Sequence, residues 1–149
     1  MTYHKPVLLT ESIEGLNIKP DGIYVDVTFG GGGHSKEILK NLKNGFLYGF
    51  DQDLDAEKNS IKSNNFKFIR SNFRYIKNFL RLEGVKKIDG LIADLGISSF
   101  QIDTPKRGFA HKHDSIIDMR MNVDSDFGAK DILNSYSEVE IARVLYDYG

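Results

Sequence analysis

The stretch Ile23-Tyr-Val-Asp-Val-Thr-Phe-Gly-Gly-Gly-Gly-His-Ser35 decides the fold of this chain. Its apolar first half predicts a buried strand, and His34 or Ser35 is expected to begin a helix. The four glycines between them leave backbone N–H groups open to a ligand, because glycine has no side chain and tolerates a positive φ. A strand, a glycine turn and a helix N-terminus together are typical of sites for nucleotide-like ligands. A plain tight turn needs only one or two glycines, so we favour a ligand-binding loop.

The rest of the first two thirds of the chain repeats this strand–helix pattern. Three more apolar segments predict strands: 46–50, 66–70 and 88–94. Helices are predicted before the first strand and between the strands, over 7–15, 35–42, 54–63 and 76–83. This alternation predicts an α/β fold with a parallel, doubly wound sheet of about four strands and right-handed crossovers.

The pattern changes after the fourth predicted strand. Residues 95–130 show no clear periodicity, which predicts a long loop region, and loops of this length are usually either functional or disordered. Short helices are predicted over 129–135 and after Ser137, which forms a capping-box signature with Glu140. We therefore expect two parts, a ligand-binding core over residues 1–105 and a region of loop and short helices over residues 106–149.

The composition excludes several classes of function. The chain of 149 residues has no cysteine, so disulfides, thiolate catalysis and cysteine-based zinc sites are excluded. Its formal net charge is −1, so any contact with nucleic acid has to be local. The lack of a signal peptide or a long apolar segment predicts a cytoplasmic protein with no membrane partner.

Polar or aromatic side chains follow each predicted strand, where open α/β sheets bind their ligands. Asp26, Asp51, Phe73 and Asp94 occupy these positions. An acid at the end of the second strand commonly accepts hydrogen bonds from ribose hydroxyls, which favours Asp51 as a ribose ligand. Asp53 is the competing choice, but it lies past the strand end and is expected to cap the next helix.

The spacing of the glycines narrows the ligand class. Gly30-x-Gly32-x-x-Ser35 lacks the third glycine of the dinucleotide fingerprint, which weakens the interpretation as a dinucleotide site. No Gly-Lys-Ser/Thr follows, so a P-loop is excluded.

His34 is expected to contribute backbone and shape to the loop, with a role as metal ligand or base as the alternative. The other histidines of the chain are His4, His111 and His113. None of them has metal-ligand spacing with His34, so we predict no metal site.

A second unusual stretch is Asp94-Leu-Gly-Ile-Ser-Ser-Phe-Gln101. It follows a strand with an acid, a glycine turn, two serines and a glutamine, opposite the glycine loop, which indicates a role towards substrate or cofactor. Farther along, Lys106, Arg107 and Lys112 form a local basic cluster with two histidines. This cluster is expected either to contact phosphates or to be an ordinary solvated loop.

These motifs, in this order, resemble those of the MraW/RsmH family. The matching stretches are Asp26-x-Thr28-x-Gly30-x-Gly32-Gly33-His34-Ser35, Asp51-x-Asp53, Asp94-Leu-Gly-x-Ser-Ser-x-Gln101, Arg107-Gly-Phe109 and Asp118-Met-Arg-Met121. The resemblance implies a Rossmann-like class I methyltransferase fold and S-adenosyl-L-methionine as cofactor. It also implies methylation of the N4 amine of a cytidine in 16S-type small-subunit ribosomal RNA, with that RNA or the assembled small subunit as partner.

The resemblance assigns the cofactor contacts to Gly32, Gly33, His34, Asp51, Phe73, Asp94 and Gln101. The backbone of residues 32–34 would face the methionine part, Asp51 the ribose and Phe73 the adenine. Asp94 and Gln101 would face the methyl-donor end. By analogy with other amino-methyltransferases, Asp94 is also the expected catalytic residue, because its carboxylate would accept a hydrogen bond from the amine.

Some features depart from the family. Its members often have proline where Phe100 stands and Gly-Pro-Leu at residues 115–117, and they are about twice as long. The resemblance therefore implies an N-terminal half, in which residues 106–149 are the substrate loop and the start of a helical insertion domain. Its sheet would be incomplete, and the open edge favours association as a homodimer. Two alternatives stay open at this point, a fragment of a nicotinamide-dependent oxidoreductase and a half-domain that binds cofactor or RNA without turnover.

Overall fold

The computed structural model describes residues 6–149, so His4 lies outside the described part of the chain. The chain forms two compact units, of which the first ends at Gly96 and the second runs from Ile97 to Gly149. The boundary at residue 105 that the sequence predicted lies inside the second unit and stays a prediction.

The first unit is built on a four-stranded parallel sheet with the order β3-β2-β1-β4. The strands are β1 (Ile23–Asp26), β2 (Phe46–Asp51), β3 (Phe66–Arg70) and β4 (Gly90–Ile92). The chain moves outward from β1 to β3 and then returns to place β4 on the other side of β1. The order of the strands therefore reverses beside β1, and open α/β sheets commonly bind ligands at such a reversal, beyond the carboxyl ends of the strands.

The helices of this unit are α1 (Leu9–Leu16), α2 (Gly33–Asn41), α3 (Leu54–Glu57) and α4 (Ile76–Leu82). They cover both faces of the sheet. On one face, Ile38 of α2 and Leu47 of β2 belong to one buried cluster, against which Leu16 of α1 packs. On the other face, Leu80 of α4 packs in a cluster with Val25 and Phe50. This Rossmann-like arrangement confirms the predicted α/β fold with a doubly wound parallel sheet.

Two predicted elements of the first unit are shorter in the structure. The helix predicted over 54–63 ends at Glu57. Beyond it, the side chain of Asn59 donates to the carbonyl of Gly30 at 3.1 Å, and such polar side chains compete with helical hydrogen bonding. The strand predicted over 88–94 covers only Gly90–Ile92. Asp94 therefore lies in the loop that follows the strand.

The second unit contains α5 (Ser99–Asp103), a 3₁₀ turn (Pro105–Arg107), α6 (Ala129–Ser135) and α7 (Glu138–Tyr148). The last two helices confirm the prediction, including the capping box of Ser137 and Glu140. The prediction of a loop throughout 95–130 was wrong at α5. Its capping box pairs Ser98 with Gln101 in a helix too short to show an apolar period.

Candidate functional site

The carboxylate of Asp51 joins the end of β2 to the glycine loop. Its Oδ2 accepts the N–H of Gly30 at 2.8 Å, and its Oδ1 accepts the N–H of Asp53 at 2.9 Å. Burial raises the pKa of Asp51, while the hydrogen bonds from Asp53 and Gly30 act in the opposite direction. Each carboxylate oxygen has a second lone pair, so the group can still accept hydrogen bonds from a pair of ligand hydroxyls.

The shape of the glycine loop is set by Phe29, whose side chain is buried in the core. Its N–H donates to the carbonyl of Phe50 at 3.0 Å, and its ring lies 5.4 Å from that of Phe66. Gly32 has a φ of +72°, and a Cβ there would lie 2.8 Å from the Phe29 ring. A Cβ at Gly30 would meet only the Thr28 carbonyl, at 3.8 Å. The loop is thus tightly packed at Gly32 and open at Gly30.

Gly33 and His34 face the segment before α1. A Cβ on Gly33 would collide with the ring of Pro6. His34 is buried, and its Nε2 lies 3.2 Å from the carbonyl oxygen of Val7. Both residues therefore have packing roles that the sequence did not reveal, and their predicted main-chain contacts to a cofactor stay a prediction.

Asp26 fixes the start of α2 against the end of β1. Its carboxylate is 1% exposed and accepts the hydroxyl of Ser35 at 2.7 Å and the N–H of Thr28 at 3.0 Å. Burial raises the pKa of Asp26, and the hydrogen bond from Ser35 is the largest opposing effect. Sequence reasoning noted Asp26 as the residue before the loop but missed its bond to Ser35. The signal available was an acid at a strand end followed by a hydroxyl in the first helical turn.

Thr28 joins the glycine loop to the loop after β4. Its Oγ1 accepts the main-chain N–H of Asp94 at 2.7 Å and lies 3.5 Å from Oδ1 of Asp26. Asp94 is exposed and lies beyond the carboxyl end of β4, beside the point where the strand order reverses. Thr28 was named from the sequence only as part of a motif and was given no role of its own. In the structure, Thr28 holds the backbone of the predicted catalytic residue.

The loops after β2 and β3 are also joined. The side-chain amide of Asn72 donates to Oε1 of Gln52 at 2.9 Å. Phe73 follows at the start of a 3₁₀ turn (Phe73–Tyr75), with 44% of its surface exposed, which leaves a ring face for stacking. Asp53 accepts the N–H of Asp55 at 3.0 Å and caps α3, which confirms its predicted role.

Gln101 lies in the second unit and is buried there. Its Oε1 accepts the N–H of Ser98 at 2.9 Å, and its Nε2 lies 3.2 Å from the sulfur of Met121. These contacts give Gln101 a structural role, and its predicted contact with a cofactor stays a prediction.

The predicted basic cluster in this unit is also partly structural. Arg107 is buried and donates to the carbonyl of Arg120 at 2.8 Å. Lys112 pairs with Asp103 at 2.8 Å. The phosphate contacts proposed for the cluster are not tested by this arrangement.

Across residues 6–149, no three histidine or acidic side chains are grouped so that they could hold a metal ion. In the same part of the chain, no helix combines the length and the apolar character needed to cross a membrane.

Comparison with known proteins identifies relatives along the whole chain. The family model described as the MraW methylase family matches residues 1–149. The chain is 62% identical over 149 residues to the "Ribosomal RNA small subunit methyltransferase H" of Cytophaga hutchinsonii, covering 99% of this chain and 50% of that protein. It is 55% identical over 150 residues to the protein of the same name from Flavobacterium johnsoniae, covering 100% of this chain and 50% of that protein. The chain spans about half the length of the curated relatives it matches.

Proposed function

The chain belongs to the MraW methylase family, and we propose that it serves the methylation of the N4 amine of a cytidine in 16S-type small-subunit ribosomal RNA. S-adenosyl-L-methionine is the methyl donor that a methylase family of this kind implies. The names of the relatives support ribosomal RNA as substrate, either free or in the small subunit. A ribosomal substrate is in turn consistent with action in the cytoplasm.

The residues of the first unit fit this cofactor. Asp51 offers carboxylate lone pairs at a strand end, as ribose hydroxyls require, and Phe73 offers an exposed ring face to adenine. At Gly30 the loop leaves open space that a side chain would fill. We assign the ribose to Asp51, the adenine to Phe73 and the methionine part to the main chain of residues 32–34. Gln101, in the second unit, stays assigned to the methyl-donor end.

When bound, S-adenosyl-L-methionine supplies an electrophilic methyl group on a sulfonium. The amine of cytosine is a weak nucleophile because its lone pair is delocalised into the ring. The carboxylate of Asp94 would accept one N–H of that amine, and the carbonyl of Leu95 or Gly96 would accept the other. Both hydrogen bonds orient the amine and favour a localised lone pair, so the role of the protein is alignment and charge stabilisation.

The hydrogen bond between Thr28 and Asp94 is the observation that carries this proposal. It ties the backbone of the expected catalytic residue to the same loop whose N–H at Gly30 is held by Asp51. A ribose ligand and an amine-binding carboxylate are thereby attached to one connected set of loops. A simple nicotinamide-binding turn gives no reason for an acid at the end of β4, and the family match also favours the methyltransferase.

The test of the cofactor is a calorimetric titration of S-adenosylhomocysteine into this chain. We expect saturable binding that is weakened about tenfold or more in Asp51→Ala, because hydrogen bonds to a charged group are lost. Asp21→Ala is the matched control, since Asp21 is exposed in the turn before β1, at the amino ends of the strands and away from the proposed site. Binding of NAD without binding of S-adenosylhomocysteine would overturn the assignment.

The test of the reaction is transfer of a labelled methyl group from S-adenosyl-L-methionine to small ribosomal subunits. Label recovered as N4-methylcytidine would support the full proposal. Cofactor binding with no transfer by this chain would instead support the alternative of a non-catalytic half-domain.

Sedimentation of the same sample would test the proposed homodimer. The half-exposed Leu91 lies on the outer strand β4, which is the edge where a second copy would associate.

A further inference from the structure

The basic residues of the first unit are concentrated in one segment. Although the formal net charge of the chain is −1, residues 58–82 contain no aspartate or glutamate. The segment carries these lysines and arginines: Lys58, Lys62, Lys67, Arg70, Arg74, Lys77 and Arg81. A neutral chain with such a segment has a local electrostatic footprint that the total charge conceals.

Three of these cations lie on one side of a continuous helical segment. Arg74 belongs to the 3₁₀ turn that leads directly into α4, which carries Lys77 and Arg81. All three are exposed, and the spacings of three and four residues place them in a row along the helix. The opposite side packs into the core through Phe79 and Leu80. We call the row of Arg74, Lys77 and Arg81 the basic stripe.

The charge of the basic stripe is not cancelled by nearby acids. Glu83 is the first acid after the segment, and it pairs with Lys67 at 2.7 Å. None of the three cations of the stripe forms an ion pair with an acid within residues 6–149. The stripe therefore presents three positive charges to solvent, and a phosphate chain is the natural complement of such a row.

Exposed aromatic rings accompany the stripe. Tyr75 is 47% exposed and Phe73 is 44% exposed. The guanidinium carbon of Arg74 lies 5.4 Å from the centre of the Tyr75 ring. Cations interleaved with exposed rings are typical of surfaces that bind single-stranded nucleic acid, where bases stack while phosphates are neutralised. An acidic protein would use the cations but has no need of the rings.

We propose that the basic stripe binds the phosphates of single-stranded ribosomal RNA next to the target cytidine, with Tyr75 stacking on a base. The inference rests on the proposed function, which supplies RNA as the substrate. Phe73, the proposed adenine contact, begins the same 3₁₀ turn as Arg74, so the stripe starts where the cofactor site ends. RNA held there would continue away from the site along α4.

The test is fluorescence anisotropy of a fluorescein-labelled single-stranded RNA with the full chain. In the variant Arg74→Gln/Lys77→Gln/Arg81→Gln, we expect affinity to fall about tenfold or more. The slope of log K against log salt should decrease by about 2, since each lost phosphate contact removes about 0.7 for a single strand. The matched control is Lys40→Gln/Lys43→Gln/Lys130→Gln, which removes the same charge from exposed positions outside the segment. Equal losses in both variants would overturn the proposal.

A second variant separates RNA from an acidic protein as the partner. Tyr75→Ala should weaken RNA binding about fivefold or more through lost stacking and should leave binding of poly-L-glutamate unchanged. If Tyr75→Ala leaves RNA affinity unchanged and poly-L-glutamate competes as well as RNA, the surface is one for acidic proteins and the proposal is wrong. Circular dichroism of each variant confirms that it is folded.

The outcomes also distinguish this inference from the proposed function. S-adenosylhomocysteine binding should be unchanged in the triple stripe variant, because none of its residues is assigned to the cofactor. If the wild-type chain binds S-adenosylhomocysteine but not RNA, the proposed RNA-binding role of the basic stripe is wrong. The cofactor assignment is then unaffected. A wild-type chain that does not bind S-adenosylhomocysteine would overturn the proposed function itself.

Discussion

The hydroxyl oxygen of Thr28 accepts the main-chain N–H of Asp94 at 2.7 Å, across the point where the strand order reverses. The two residues are far apart in sequence, but each lies just after one of two neighbouring strands, Thr28 after β1 and Asp94 after β4. Thr28 is itself held by Asp26, which accepts its N–H at 3.0 Å and the hydroxyl of Ser35 at 2.7 Å. The position of Asp94 thus depends on a buried carboxylate at the end of a different strand.

Replacing Thr28 with valine should release Asp94. Valine keeps the shape of threonine but cannot accept the hydrogen bond, so the Asp94 amide should exchange with solvent faster and the free energy of unfolding should fall by about 1 kcal/mol. Hydrogen exchange by NMR measures the first effect and urea unfolding the second. Thr28→Ser keeps the hydroxyl and should behave more like the wild type. An Asp94 amide with unchanged exchange in Thr28→Val would contradict the link.

Asp94→Asn should reduce the preference of the site for the charged cofactor. If the carboxylate faces the methyl-donor end, it favours the sulfonium of S-adenosyl-L-methionine over neutral S-adenosylhomocysteine. We expect the ratio of the two affinities to fall about three- to tenfold on loss of one opposing charge. Calorimetry with both ligands measures the ratio, and the exposed Asp114→Asn in the second unit is a charge-matched control. An unchanged ratio would remove Asp94 from the methyl-donor end.

The contribution of Asp51 to the free energy of unfolding should fall as pH rises, whereas that of an aspartate in an exposed ion pair should fall as pH decreases. Its folded-state pKa is raised above the ordinary 3.8 by burial, so the folded state binds the proton more tightly than the unfolded state. The wild type should therefore lose stability relative to Asp51→Asn as pH rises from about 4 through the raised pKa. Urea unfolding across this pH range measures the difference between the two proteins.

The control for that experiment is Asp89, whose pKa is lowered by its hydrogen bond and ion pair with Lys19. Its contribution is present above 3.8 and is lost as pH falls through the lowered value. The difference between the wild type and Asp89→Asn should therefore shrink on acidification. Parallel pH profiles for the Asp51 and Asp89 variants would contradict the assignment of buried character to Asp51.

Gly32→Ala should destabilise the protein more than Gly30→Ala. Both glycines have a positive φ, but only at Gly32 would the new Cβ meet the Phe29 ring, at 2.8 Å. We expect a loss of about 2–4 kcal/mol at Gly32 and about 1 kcal/mol at Gly30. Gly15→Ala is the control, since it lies in α1 with nothing within 4 Å and should be neutral or slightly stabilising. Thermal unfolding ranks the three, and equal losses at Gly30 and Gly32 would refute the packing argument.

Local sequence patterns predicted the helices and strands well where the pattern was long or flanked by clear start and stop signals. The strand predicted over 66–70 is found at Phe66–Arg70, and the capped helix after Ser137 is found at Glu138–Tyr148. The helix predicted over 54–63 was too long, because a polar segment gives no periodicity to locate its end. The short helix α5 (Ser99–Asp103) was missed because five residues are too few to show an apolar period.

The candidate site was predicted in part. Asp51 and Asp94 were identified from their positions at strand ends, which is a local property. The bond between Thr28 and Asp94 was not predicted, because it depends on β4 lying beside β1, and an alternating pattern does not specify strand order. The basic stripe was missed because net charge was considered over the whole chain. The aligned exposure of Arg74, Lys77 and Arg81 became evident only with α4 in place.

Phe29 is a core residue within the glycine loop that we propose to bind the cofactor, and this has a consequence for dynamics. A loop anchored by a buried ring cannot open locally without disturbing the sheet beneath it, so loop and sheet should belong to one cooperative unfolding unit. Ligand binding should then slow amide exchange not only in the glycine turn but also in β2, whose Phe50 carbonyl accepts the Phe29 N–H. In this protein the recognition element and the most persistent part of the fold would be the same structure.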